Sequence, residues 1–77
     1  MSEITLSNHA KYRLMERGLS VHDIKKIAKS GKIIKVLEDG QFKMEGLCNN
    51  GKKAIVVCKK TNYSRNDIVI ITAYYAN

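Results

Sequence analysis

Apolar positions along this chain recur first at helical and then at strand spacing, and the change falls at Gly31. Ile24, Ile27 and Ala28 repeat every three to four residues, while Lys25, Lys26 and Lys29 take the opposite, wet face. That is an amphipathic helix. Ser20-Val21-His22-Asp23 opens it with the spacing of a capping box, Asp standing where Glu is usual, and Gly31 ends it. Ahead of it, Ser7 or Asn8 is placed to cap a first helix running to about Arg17, with Gly18 as a left-handed stop.

Beyond Gly31 the pattern turns to strands. Ile33 to Leu37 is β-rich, Asp39-Gly40 is a hairpin turn, and Gln41 to Leu47 alternates loosely. Asn49-Asn50-Gly51 makes a second turn, Lys53 to Lys59 a third strand, Thr61 to Asp67 a polar loop, and Ile68 to Tyr75 the last strand. The unbroken apolar runs 54–58 and 68–71 mark the central strands. The expected architecture is an α+β domain, two N-terminal helices followed by an antiparallel sheet of about four strands, in the order α-α-β-β-β-β. Residues 1–77 form a single domain, with no proline, repeat or low-complexity segment to mark a linker. So short a chain buries only a small core, which pairing into a homodimer would enlarge.

Fourteen Lys and Arg against seven Asp and Glu give a net charge of +7. Such a balance favours an anionic partner, nucleic acid before an acidic protein. Eleven of the fourteen cations are lysines spread along the chain, so charge alone outlines no groove. Cys48 and Cys58 lack zinc or redox spacing and are expected as reduced thiols in a cytoplasmic protein. No signal-like segment or membrane-length apolar run is visible, so no membrane partner is expected.

Chemistry concentrates in one stretch, His9-Ala10-Lys11-Tyr12-Arg13-Leu14-Met15-Glu16-Arg17-Gly18. At about 100° per helical residue, His9, Arg13 and Arg17 fall within an arc of about 80°. A group that titrates near neutrality then lies beside two permanent cations, a combination suited to a phosphodiester. A salt bridge from Arg13 to Glu16 is the plainer use of that arginine. His22, in the crowded first turn of the second helix, reads as structural or solvated.

The C-terminal strand is the second constellation. Thr72 and Tyr74 share one of its faces, Ala73 and Tyr75 the other, so one tyrosine should be buried and its neighbour open. The open phenol can donate to a phosphate or stack on a base. Lys59, Lys60 and Arg65 border the preceding loop and can extend a nucleic-acid-binding rim, with Tyr75 beside them. No phosphate loop, dinucleotide fingerprint, nucleophile elbow or carboxylate cluster with metal spacing is present, so neither cofactor nor metal is expected.

His9-Ala10-x-x-Arg13-x-x-x-Arg17-Gly18, followed by the helix-opening Ser20 and ending in Thr72-Ala73-Tyr74, resembles the signature of the DUF4258 family from about Leu6 to Tyr75. Its order of elements is similar to that of ribonuclease toxins of the RelE and ParE type and of barnase-like toxin domains. The resemblance implies a site that joins the first-helix His and Arg residues to the last-strand Thr or Tyr. It also implies an antitoxin protein as partner. It further implies a metal-independent endoribonuclease of toxin type, or a degenerate relative. His9, Arg13, Arg17, Thr72 and Tyr74 would then be the catalytic set. The alternative is a non-catalytic module that binds nucleic acid or inhibits a protein. That reading needs only the basic surface and an exposed tyrosine.

Overall fold

A computed structural model describes residues 3–62, without the side chain of Asn62, and 67–76. The chain runs β1 (Ile4–Leu6), α1 (Asn8–Glu16), α2 (Val21–Ser30), β2 (Lys32–Val36), β3 (Gln41–Leu47), β4 (Lys53–Asn62) and β5 (Asp67–Tyr75). The strands form one sheet in the order β1-β5-β4-β3-β2. β2, β3, β4 and β5 pair antiparallel, and β1 pairs parallel with β5. The two helices carry the chain across one face of the sheet, from the β1 edge to the β2 edge.

This corrects the expected order. A strand precedes the helices, and the sheet has five strands and is mixed. Ile4-Thr5-Leu6 is too short to show a periodic signal. It is a strand because Ile4, Thr5 and Leu6 lie opposite Ile68, Val69 and Ile70, and because Ile68 N donates to Glu3 O at 2.8 Å.

Local chemistry accounts for the helices and turns. Ser7 caps α1, its hydroxyl accepting from Ala10 N at 3.0 Å, and Gly18 follows at φ +67°. Asp39 at φ +60° and Gly40 at φ +73° form the β2–β3 hairpin, whose two positive angles match the twist of the paired strands. Gly51 at φ +81° closes the β3–β4 turn, where Gly51 N donates to Cys48 O at 2.9 Å. The capping box at α2 does not form. Ser20 stands at the N-cap position without a side-chain bond, and Asp23 turns to accept from Asn49 N at 3.4 Å in the β3–β4 turn. Asp23 is buried, and among the described residues its Oδ1 has no hydrogen-bond partner.

The pairing sorts every strand residue onto a face. Phe42, Cys58 and Ile70 form one row under the helices, Met44, Val56 and Ala73 the next, and Gly46, Ala54 and Tyr75 the third. Ala10 and Leu14 of α1 and Ile24, Ile27 and Ala28 of α2 close over these rows and complete the core. Ile71 is an extra residue between Ile70, opposite Cys58, and Thr72, opposite Val57. This bulge returns Ala73 to the helix side although it is three residues from Ile70.

Candidate nucleic-acid interface

α1 packs on β5 and β1 through Ala10 and Leu14, which leaves its opposite stripe outward. His9 and Arg17 are exposed and Arg13 is half-buried. Arg13 Nε donates to His9 Nε2 at 3.4 Å. Arg13 Nη1 also meets Glu16 Oε1 at 3.4 Å. One guanidinium therefore orients the imidazole and is itself partly neutralised by a carboxylate one turn on.

Arg17 joins the helix to the last strand. Its Nη1 donates to Ala73 O at 2.7 Å and lies 3.4 Å from Thr72 Oγ1. β1 pairs β5 along 68–70, so among the described residues the outer edge of β5 beyond that point is without a strand neighbour. The guanidinium fills this gap and satisfies a carbonyl there. Thr72 itself sits on the helix-free face, and Arg17 reaches round the sheet edge to it.

On that face the rows place Lys35, Lys43, Val57 and Thr72 side by side, and next to them Lys32, Glu45, Ile55 and Tyr74. Lys35 and Lys43 are direct cross-strand neighbours of like charge, an arrangement that costs stability unless an anion is near. The Lys43 ammonium also stands 5.9 Å from the Tyr74 ring centroid, while Lys53 pairs with Glu45 at 3.3 Å. Sequence reasoning missed Lys35 and Lys43. Their alternation with apolar residues in β2 and β3 was the available signal, but their alignment with Thr72 depends on register across three strands.

The tyrosines depart from expectation. They occupy opposite faces, yet both are half-buried, because they lie at the sheet end where neighbours run out. Tyr75 is on the helix side, donating its hydroxyl to Gly18 O at 3.3 Å and accepting from Asn50 Nδ2 at 3.1 Å. It thereby ties the α1–α2 turn to the β3–β4 turn. Lys59 and Lys60 are also separated. Lys59 lies opposite Val69 on the helix-free face, and Lys60 opposite Ile68 on the other. Arg65 lies outside the described residues. Burial pushes the Cys58 thiol up to about 12, and burial with the nearby Asp23 carboxylate raises that of Cys48. Neither thiol is poised as a nucleophile. Among the described residues no group of three or more His, Cys, Asp or Glu is placed to hold a metal ion, and no helix is long and apolar enough to cross a membrane.

The motif residues and the strand that receives Arg17 fall within one family model, described as a domain of unknown function (DUF4258), which matches residues 6–75. The chain belongs to the DUF4258 family. A comparison with curated proteins gave no match. Among solved structures, the DUF4258 domain is similar to the Brucella abortus ribonuclease toxin BrnT, at 17% identity and a TM-score of 0.72, over all of this chain and 97% of that one. At that identity the likeness is one of fold.

Proposed function

We propose that this DUF4258 domain is a metal-independent endoribonuclease of the toxin type. The observation that carries the reading is the meeting of the His9–Arg13 stripe with the last strand, through Arg17 at Thr72 and Ala73. The fold shared with a protein described as a ribonuclease toxin supports it.

Cleavage would proceed by attack of an RNA 2′-oxygen on the adjacent phosphorus, with loss of the 5′-oxygen. His9 takes the 2′-hydroxyl proton, and Arg13 and Arg17 hold the phosphate oxygens as charge builds on them. Thr72 and Tyr74 would position the scissile group, with the Tyr74 hydroxyl as the donor to the leaving oxygen. Lys35, Lys43 and Lys59 on the helix-free face offer charge to the flanking strand. A basic toxin of this kind would be held in check by an acidic antitoxin protein.

His9→Ala tests the assignment. Cleavage should fall by about 10²–10⁴ while RNA affinity stays within a few-fold, because proton transfer is expressed in the transition state. Activity should survive EDTA and leave a 2′,3′-cyclic phosphate. Wild-type protein that binds RNA and never cuts it would instead identify a non-catalytic binding module. Arg13 paired with Glu16, and Arg17 committed to a carbonyl, are the features that favour that second reading.

A further inference from the structure

We infer that the groove between α2 and β1 is a second nucleic-acid site, one that takes the phosphate backbone of a strand without reading its bases. The groove has a volume of about 450 Å³ and is lined by Ile4, His22, Lys25, Lys26 and Lys29. In the sequence these lysines are merely the wet face of an amphipathic helix. They line a groove only because β1, docked on β5, sets Ile4 against them.

Three features identify the ligand class. The first is charge without compensation: among the described residues no carboxylate lies within ion-pair distance of Lys25, Lys26 or Lys29, whereas Lys53 and Arg13 each have one. The second is spacing. His22, Lys25, Lys26 and Lys29 follow one helical stripe, and the seven steps from 22 to 29 at about 1.5 Å each span roughly 10 Å, so the charges form a line rather than a cluster. The third is donor type. Ammonium groups act as point charges and lack the guanidinium fork that fixes a single phosphate, so a repeating anion fits better than a compact one. Ile4 and the lysine methylenes give the sugar edge an apolar surface to lie on.

The inference rests on the reading that the chain acts on nucleic acid, but its test does not need cleavage. An uncleavable, fluorescently labelled 2′-O-methyl single strand is titrated by anisotropy from 50 to 200 mM salt. Lys25→Ala/Lys26→Ala/Lys29→Ala is compared with Lys11→Ala/Lys32→Ala/Lys52→Ala, which removes the same charge from other surfaces. All six are exposed, Lys52 also standing 5.3 Å from the Tyr75 ring centroid, and a thermal melt of each variant checks the fold. Each phosphate contact contributes about 0.7 to the salt slope for single strands. The groove variant should therefore lose about 2 from the slope. Its affinity should fall about twentyfold less than that of the wild type across this salt range. The comparison variant should lose under half as much slope. Equal losses in the two variants would overturn the groove while leaving the His9 assignment intact. Selective loss in the groove variant, with a wild type that never cuts RNA, would keep the groove and discard the nuclease. Displacement of the strand from the wild type, but not from the groove variant, by equimolar tripolyphosphate would show a compact-anion site and overturn the strand proposal.

Discussion

Gly31→Ala measures how closely α2 lies on the sheet. Gly31 has φ −75°, a value open to any residue, so the backbone itself tolerates alanine. Reduced freedom in the unfolded chain alone would stabilise the variant by about 0.4–1 kcal/mol. Space decides otherwise. A Cβ on Gly31 would stand 2.5 Å from Ile27 O, 2.8 Å from Glu45 O and 3.0 Å from Ile27 Cγ2. The two oxygens belong to the backbone of α2 and of β3, so relief requires a shift of the helix end rather than a rotamer change. Overpacking costs about 1–3 kcal/mol, and two backbone clashes place this case at the upper end. The net expectation is a loss of about 2 kcal/mol, or a fall in Tm of roughly 8–16 °C at about 4–8 °C per kcal/mol for a domain of this size. Far-UV circular dichroism melts and urea titrations read it directly. Gly18→Ala is the comparator. It has φ +67° and nothing within 4 Å of the added carbon, so its cost is conformational alone, about 1–2 kcal/mol. A Gly31→Ala Tm at or above that of the wild type would refute the close approach of α2 to β3.

Other outcomes follow from the same structure. Gly46→Ala places a Cβ 2.7 Å from Ile27 Cγ1, a side-chain contact, and should cost about 1 kcal/mol by urea titration, less than Gly31→Ala because Ile27 can rotate. Arg17→Ala removes a charged bond to Ala73 O that is partly open to water. A stability loss near 1 kcal/mol together with lost cleavage is expected, and wild-type activity would remove Arg17 from the site. Leu14→Ala opens a cavity under α1 and should cost about 2–5 kcal/mol in denaturant titrations. The Cys58 thiol, raised to about 12 by burial, lies above its ordinary value of about 8.5, so its share of stability is intact below the ordinary value and is lost as pH climbs toward 12. At pH 8 iodoacetamide should label Cys58 only in urea, and mass spectrometry showing rapid labelling of native protein would contradict the burial.

What the residue pattern revealed is what neighbours in the chain decide among themselves. Ser7 caps α1 because its hydroxyl meets an amide three residues on. Asp39 and Gly40 turn the chain because both adopt positive φ, and the closeness of His9 and Arg13 follows from helical pitch, whereas Arg17 stands at the C-cap, just past the end of α1. The order of strands β2 to β5 was legible for the same reason, since short turns impose antiparallel neighbours.

What only the tertiary structure decided depends on residues far apart in the chain. β1 is a strand through pairing with β5, some sixty residues away, and three residues carry no period of their own. Asp23 forsook the helix cap for Asn49 N because folding brings the β3–β4 turn over it. The bulge at Ile71 set which side of the sheet Thr72 and Tyr74 occupy, and with it their alignment with Lys35 and Lys43. Local propensity fixes dihedral angles, but register and edges are settled by long-range hydrogen bonding and by which faces the core must bury. The place where Arg17 meets the last strand, and the groove beside Ile4, both arise at edges of that sheet, and no stretch of sequence read by itself contains an edge.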